Sequence, residues 1–224
     1  FVAAGATLVD DATDCKLVMG VKEVKKHQIK PGATIMCFSH TIKGQAHNMP
    51  LLAEFMSKGA SLVDYEVIVD DKGVRQVAFG RYAGLAGAHE TLWTLAHRMK
   101  ALGHDNPLTA LKHAVDYRDL ADMTSYTRAA LEALRSEGPA ALAPLVVAVT
   151  GNGRVSMGAL EYLDMVGSIP CTVDECIALP HESPDDRTLR VLHLSDDVLY
   201  EWAGQHRRFS FDHKATGLED AMTQ

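Results

Sequence analysis

The hydrophobic positions in the first third of the chain alternate between short runs and one helical segment. Residues 16–21 (KLVMGV) and 33–38 (ATIMCF) are short apolar runs between charged or turn residues, the pattern of buried strands in a parallel sheet. Across residues 47–57 the apolar side chains recur at helical spacing, with Gly59 as a stop. Residues 61–69 then read as a strand. This order predicts a strand–helix–strand unit.

A turn signal follows that unit. Residues 70–73 (DDKG) predict that residues 75–79 fold back as the hairpin partner of the preceding strand. After Gly80 a long helical pattern extends to about Leu102, and we expect Gly84 and Gly87 to permit close backbone packing near its start.

A second unit is predicted after the next helix. That helix covers about residues 117–135, and residues 136–139 (SEGP) predict a domain boundary. Residues 145–150 form an uncharged strand pattern, followed by a glycine-rich loop, a helical pattern and a strand near residues 171–173. This is the strand–loop–helix–strand order of a dinucleotide site. Further along, residues 197–205 predict a helix.

These elements predict an α/β fold with two parallel-sheet domains, residues 1–140 and 141–224. The chain begins at Phe1 without a methionine, so we expect it to be a fragment.

Composition and charge narrow the function classes. The net charge of -7 and pI near 5.8 argue against a nucleic-acid partner, and no apolar run is long enough to span a bilayer. The histidines form no zinc-protease pattern and no serine lies in a G-x-S-x-G elbow, so no metal site and no triad hydrolase is predicted. Four cysteines without C-x-x-C spacing predict free buried thiols in a reducing, intracellular setting.

The glycine loop is the first candidate for chemistry. Gly151, Gly153 and Gly158 are spaced G-x-G-x-x-x-x-G, and Ser156 stands where a third loop glycine normally falls. Glycines let a backbone approach a pyrophosphate whose charge faces the N-terminus of the next helix. An ordinary turn between strand and helix is the alternative. Acidic residues that could hold a ribose, Asp174 and Glu175, lie closer to the loop than usual, which leaves the choice of NAD or NADP open.

The second candidate is formed by the ends of the first two strands. Lys22 and Glu23 follow one strand, and His40 and Lys43 follow the next, so they meet where parallel strands border a ligand crevice. Such groups can exchange protons with a carbonyl or an amine. A solvated helix start and a capping histidine are the alternative.

The third candidate follows the next strand. Glu66 could receive an ammonium group, and Arg75 across the turn could hold a carboxylate with two hydrogen bonds. A surface ion pair between neighbouring strands is the alternative reading.

Six stretches together resemble one known family. They are GVKEV (20–24), FSHTIKGQAHNMPLL (38–52), LVDYE (62–66), VAFGRYAGLAGA (77–88), ALGH (101–104) and TGNGRVSMGA (150–159). In this order they resemble the lysine–ketoglutarate reductase part of bifunctional aminoadipic semialdehyde synthases and, more distantly, the fungal lysine-forming saccharopine dehydrogenases. The resemblance covers most of residues 1–182 and weakens after Arg187.

The resemblance implies two Rossmann-like parallel-sheet domains of the alanine dehydrogenase and transhydrogenase type, both incomplete in this chain. Residues 1–140 would form a substrate and catalytic domain that lacks its N-terminal part, and residues 141–224 would form a partial dinucleotide-binding domain. The resemblance also implies a reaction in which lysine condenses with 2-oxoglutarate and the imine is reduced to saccharopine, a step of lysine degradation. The family's acid–base pair falls on Lys22 and His40, with Glu23 beside Lys22. Glu66, Arg75 and Lys43 would then place the substrates.

The same resemblance extends to the cofactor and the partners. It assigns Gly151, Asn152, Gly153, Arg154 and Val155 to the nucleotide loop. The FSHTIK sequence around His40 is closer to that of the bifunctional enzymes, which favours NADP(H) and leaves NAD(H) open. The expected partners are lysine and 2-oxoglutarate, in a parent chain that can carry a saccharopine-oxidising domain. An alanine dehydrogenase-like enzyme and a truncated, non-catalytic nucleotide-binding relative are the alternatives.

Overall fold

A computed structural model describes residues 1–12, 14–183 and 185–195. The chain is an α/β protein with two three-stranded parallel sheets, as the sequence predicts. It divides into two compact units, Phe1–Ala78 and Phe79–Gln224. The predicted division between residues 140 and 141 falls inside the second unit and stays a prediction. The helix predicted at residues 197–205 lies outside the described residues.

The first unit is built on one parallel sheet in the order β1-β2-β3. Its elements are β1 (Leu17–Met19), β2 (Thr34–Cys37), α1 (Met49–Ser57) and β3 (Ser61–Asp64), with short 3-10 helices at Val2–Ala4, Lys26–Gln28 and Tyr65–Val67. Helix α1 connects the two parallel strands β2 and β3. Ile35 and Cys37 of β2 are fully buried against Leu51 and Phe55 of α1. This packing fixes which end of each strand faces the polar cluster described below.

Two predictions fail at the end of this unit. Strand β3 stops at Asp64 rather than near Val69, because the Asp64 side chain caps the next 3-10 helix by accepting from the Glu66 N–H. The expected hairpin is reduced to a single antiparallel bridge between Val69 and Arg75. Residues 69–76 are exposed, so a longer two-stranded ribbon would have no apolar surface to cover.

The second unit has the strand order β4-β6-β5, and all its strands are parallel. Its elements are α2 (Gly80–Ala101), α3 (Leu120–Glu137), β4 (Val146–Thr150), α4 (Arg154–Met165), β5 (Ile169–Cys171), α5 (Val173–Glu182) and β6 (Arg190–Leu194), with 3-10 helices at Pro107–Ala110, Ala114–Asp116 and Ala140–Leu142. The sequence pattern gives no strand at residues 190–194. The structure places that segment between the two predicted strands, where Val191 is buried.

The core of the second unit joins α2, α3 and α4 to the sheet. A polar network lies inside it: the ring of His89 contacts the Tyr162 hydroxyl at 2.8 Å, and that hydroxyl contacts Thr127 at 2.8 Å. The other ring nitrogen of His89 lies 2.8 Å from the carbonyl of Lys112. All three side chains are fully buried, and their mutual hydrogen bonds offset the cost of removing them from water.

Helices α2 and α4 cross at glycines. A Cβ atom added to Gly84 would lie 2.6 Å from the Ala159 nitrogen and would also overlap Val155 O, and one added to Gly158 would overlap Arg81 O. The predicted packing role of Gly84 is therefore confirmed. The same prediction is wrong for Gly87, because no atom lies within 4 Å of the position of its missing Cβ.

Candidate functional site

The first candidate site begins with an ion pair at the end of β2. His40 has a left-handed backbone, with φ 54, and its carbonyl accepts a hydrogen bond of 3.1 Å from the Asn48 amide. Its Nδ1 lies 3.1 Å from a carboxylate oxygen of Glu23. Because a carboxylate only accepts hydrogen bonds, Nδ1 carries a proton toward Glu23, so Nε2 is the nitrogen that can accept a proton from a ligand. This orientation suits a general base.

Glu23 lies between the two predicted acid–base residues. A backbone hydrogen bond lowers the pKa of Glu23, and the hydrogen bond and charge of His40 and the charge of Lys22 act in the same direction. Burial opposes them. The Glu23 carboxylate is thus ionised at neutral pH. Lys22 itself is exposed. Its charge and that of His40 both act on the carboxylate of Glu23.

A buried polar chain continues from His40 toward β3. The Ser39 hydroxyl is fully buried, donates to the carboxylate of Asp64 and lies 2.7 Å from the Thr41 hydroxyl. The other oxygen of Asp64 accepts from the Glu66 N–H at 2.8 Å. The loop that carries His40 and the segment that carries Glu66 are thereby tied together. Thr41 and Asn48 are the members of this arrangement that the sequence reading missed.

Glu66 is a buried carboxylate that contacts two cations. Its side chain is 6% exposed, and one oxygen lies 3.6 Å from the Lys43 ammonium and 3.5 Å from the Arg75 guanidinium. The other oxygen, Oε2, is buried and has no hydrogen-bond partner within the described chain. A buried carboxylate oxygen is costly to leave unpaired, so Oε2 is an acceptor that a cationic ligand can satisfy.

Arg75 is held on its other side by an aromatic ring. Its guanidinium carbon lies 5.9 Å from the ring centroid of Phe38, and that ring meets Tyr65 edge to face at 5.2 Å. A cation over a ring face is attracted by the ring's quadrupole, so Phe38 orients Arg75 as well as filling space. The six predicted site residues of the first unit thus form two groups, joined through Ser39 and Asp64. One group is Lys22, Glu23 and His40, and the other is Lys43, Glu66 and Arg75.

The second candidate site is the glycine loop of the second unit. Gly151 has φ 86, a conformation that glycine adopts without strain, and its carbonyl lies 2.8 Å from His193 Nε2. Gly153 is the N-cap of α4, and no side chain caps this helix end. A Cβ at Gly153 would meet nothing within 4 Å. The loop therefore exposes a helix N-terminus and leaves open space in front of it, which suits a phosphate.

A cavity of about 540 Å³ lies beside this loop. Its walls come from β4, the first turns of α4 and one side of α2 that includes Gly87. Asn152, Arg154 and Val155 are exposed at the loop. Gly158 faces the backbone of α2 at the helix crossing, so the structure shows it as a packing residue, and its predicted role in cofactor binding stays a prediction.

The strand order of the second sheet places Asp174 and Glu175 away from the glycine loop strand β4. Asp174 and Glu175 follow β5, but β6 rather than β5 lies next to β4. Glu175 is also engaged in a capping box with Thr172 at the start of α5. These two acidic residues therefore do not stand where the residue that reads the ribose is expected.

The structure also bears on metal binding, membrane spans and thiols within the residues that it describes. Within those ranges no group of histidine, cysteine or carboxylate side chains is arranged for a metal ion, and no helix could cross a bilayer. All four cysteines are free, as predicted, but only Cys37 is buried. Cys15 is exposed, whereas Cys171 and Cys176 are half-buried and in contact.

Comparison with known proteins shows what this chain is similar to. Residues 1–86 match the family described as alanine dehydrogenase/PNT, N-terminal domain. The matched stretch includes the whole of the first unit. The chain is also similar to an L-alanine dehydrogenase of known structure, with 15% identity and a TM-score of 0.47 over 86% of this chain and 46% of that one.

More specific relatives share most of the chain. It is 36% identical over 201 residues to the alpha-aminoadipic semialdehyde synthase of Arabidopsis thaliana and 38% identical over 183 residues to the mitochondrial one of Bos taurus. It is 32% identical over 173 residues to the saccharopine dehydrogenase [NAD(+), L-lysine-forming] of Neurospora crassa. The alignment with the Bos taurus protein covers 81% of this chain, and the alignment with the Neurospora protein covers 75%. The chain is thus homologous to these proteins over most of its length. It spans 19% of either synthase and 44% of the Neurospora enzyme.

Proposed function

We propose that this chain supplies the substrate-binding unit and the start of the nucleotide-binding unit of a nicotinamide-dependent reductase that joins L-lysine to 2-oxoglutarate and forms saccharopine. The observation that carries the proposal is the buried carboxylate of Glu66, which has one free oxygen and two cations beside it. The Neurospora relative is named as a saccharopine dehydrogenase that forms L-lysine, which is this reaction in reverse. Both substrates also have charges that these groups can bind.

The charges of the cluster match the substrates group by group. Oε2 of Glu66 accepts from the ammonium of lysine, and its burial strengthens that contact because water does not compete with it. Arg75 and Lys43 bind the carboxylates, and Arg75 can form two parallel hydrogen bonds to one of them. When the substrates bind, their carboxylates become partners of Arg75 and Lys43, which otherwise lie beside Glu66.

His40 performs the proton transfers of the condensation. Its Nε2 takes a proton from the attacking amine and passes it to the carbonyl oxygen, which gives the carbinolamine. A second transfer from the nitrogen to the hydroxyl oxygen by the same route releases water and leaves the imine. Glu23 accepts a hydrogen bond from Nδ1–H throughout and stabilises the imidazolium while His40 holds two protons. Lys22 adds positive charge next to Glu23 and keeps that carboxylate ionised.

The glycine loop provides the binding site for the nucleotide. The uncapped N-terminus of α4 and the open side of Gly153 bind the pyrophosphate, with Gly151 making the turn. When bound, a nicotinamide cofactor supplies the hydride that reduces the imine. We expect NADPH to be preferred over NADH. The Neurospora relative is named for NAD(+), so both cofactors belong in the assay.

The test is an assay of reduced-nicotinamide oxidation with the full-length protein that contains this chain. Lysine with 2-oxoglutarate is expected to support oxidation and to give saccharopine, whereas pyruvate with ammonia is not. Turnover with pyruvate and ammonia instead would assign an alanine dehydrogenase-like activity. Nucleotide binding by calorimetry without turnover of either pair would leave a non-catalytic binding protein.

A further inference from the structure

Two cysteines that the proposed reaction does not use are in direct contact in the second unit. Cys171 ends β5 and Cys176 lies in the first turns of α5, and their sulfur atoms are 2.6 Å apart. Two thiols without a bond between them normally lie well beyond this distance, whereas a disulfide needs about 2.05 Å. The fold therefore places both sulfurs within a small movement of bonding distance.

The local structure explains why the two side chains meet. Thr172 is the N-cap of α5, and its side chain accepts from the Glu175 N–H while the Glu175 side chain accepts from the Thr172 N–H. This capping box fixes the direction in which α5 leaves β5. The residue after Glu175 is thereby directed back over the end of the strand, where Cys171 lies. The pair is a consequence of a well-defined turn rather than of two free side chains.

We propose that Cys171 and Cys176 are a modification site, a dithiol that small-molecule disulfides oxidise reversibly to an intramolecular disulfide. Both residues are half-buried, so reagents of this size can reach the pair. By contrast, Cys37 is fully buried and Cys15 is exposed without a cysteine neighbour.

The chemistry balances as two successive thiol–disulfide exchanges. Cys176 attacks one sulfur of the reagent, forms a mixed disulfide and releases one thiolate. Cys171 then gives its proton to that thiolate and attacks the Cys176 sulfur, which releases the second reagent thiol. The protein loses two electrons and two protons, and the reagent disulfide is reduced to two thiols.

The surroundings support this order of attack. Burial raises the pKa of Cys171 to about 12, and the hydrogen bond with Cys176 adds to the effect, so Cys171 is a poor first nucleophile at neutral pH. Asp174 and Glu175 make the site acidic, although Arg190 partly offsets them. A neutral disulfide reagent should therefore react faster than an anionic one such as oxidised glutathione.

Oxidation should also stabilise α5 against local opening. Leu179 is the single buried residue of this helix, so its first turn is held mainly by the capping box. A bond from Cys176 to the end of β5 adds a second anchor at the opposite end from Leu179. Amide hydrogens of α5 should then exchange more slowly in the oxidised protein.

The experiment uses the 224-residue chain with bis(2-hydroxyethyl) disulfide. After alkylation of the remaining thiols, peptide mapping is expected to show a bond between Cys171 and Cys176, a mixed disulfide at Cys15 and unmodified Cys37. Dithiothreitol should reverse both modifications. The same samples should show at least about tenfold slower amide exchange in the first turns of α5 after oxidation.

Two variants test the order of the steps. Cys171→Ser should accumulate the mixed disulfide on Cys176, whereas Cys176→Ser should leave Cys171 largely unmodified. Oxidation of the unaltered chain that gives mixed disulfides on both cysteines, as on Cys15, and no internal bond overturns the proposal. This result needs no variant, so a folding defect in either serine variant leaves the test intact.

Discussion

The carboxyl ends of the strands carry charged side chains in the first unit, whereas in the second unit they carry a glycine loop beside a cavity. At the first edge Glu66 keeps a buried oxygen without a partner, and His40 keeps an acceptor nitrogen. At the second edge Gly153 leaves open space in front of an uncapped helix end. Side chains thus provide acid–base and ion-pair chemistry in one unit, and backbone groups provide phosphate recognition in the other.

This difference teaches that substitutions in the two units should separate activity, stability and nucleotide affinity. A side chain that faces a ligand can be removed with little change in folding. A glycine at a helix crossing cannot be replaced without moving backbone. The following substitutions test that separation.

The largest expected effect is on turnover. His40→Ala in the full-length protein should lower turnover by about a hundredfold or more, because the proton-transfer group is lost. The free energy of unfolding should change little, since His40 is partly exposed and loses one ion pair. Steady-state kinetics and urea unfolding measure the two quantities.

His47→Ala is the matched control for this prediction. His47 is an exposed histidine seven positions further along the same segment and should leave turnover unchanged. Turnover of the His40 variant within about twofold of the unaltered protein would remove His40 from the proposed mechanism.

The next effect is on stability and concerns the α2–α4 crossing. Gly84→Ala should lower the free energy of unfolding by about 2 kcal/mol or more, because the new methyl group overlaps backbone atoms of α4 that cannot move independently. Thermal or urea unfolding of the 224-residue chain measures the loss.

Gly87→Ala on the same helix should have the opposite sign. Its methyl group meets no atom within 4 Å, and alanine favours the helix over glycine by about 0.5 to 1 kcal/mol. A Gly84→Ala variant as stable as Gly87→Ala would show that helix α2 does not pack on α4 through Gly84 in solution.

The third effect is on nucleotide affinity. Gly153→Ala should weaken binding of NADPH or NADH by about tenfold, because the methyl group enters the space in front of the α4 N-terminus. The backbone of Gly153, with φ -79 and ψ 177, is one that alanine adopts freely, so stability should not change. Calorimetric titration and thermal unfolding of one preparation separate the two effects. Unchanged affinity would show that no phosphate lies against this glycine.

The extent to which the sequence predicts these features follows from the range of the forces involved. Strands β1, β2, β4 and β5, helices α1 and α2 and the glycine turn have local signals, namely apolar periodicity and helix-ending glycines, and these are confirmed within a few residues. The place of β6 between β4 and β5 depends on contacts between distant segments. No pattern within residues 190–194 specifies which strand they pair with.

The same distinction applies to the candidate sites. Lys22, His40 and Glu66 could be selected because polar residues at strand ends are readable from the sequence. The free oxygen of Glu66 and the αL backbone of His40 could not, because each depends on which side chains the fold brings near. The contact between Cys171 and Cys176 was missed for a related reason: a strand end and a helix turn are joined by a capping box whose geometry the spacing alone does not reveal.

The smallest expected effect is on stability and concerns Asp186, a carboxylate that has a structural role, unlike Glu66. Hydrogen bonding from Thr188, together with Arg190, lowers the pKa of Asp186 to about 2, below its ordinary value of 3.8. A folded-state pKa below the unfolded one gives stability that is present above about pH 4 and is lost as the pH falls toward about 2. Asp186→Asn should therefore cost at most about 1 kcal/mol at neutral pH, since the pair is partly exposed. The difference from the unaltered chain in urea unfolding should shrink as the pH is lowered through this window. A difference that stays constant with pH would mean that Asp186 stabilises β6 by its shape and hydrogen bonds and not by its charge.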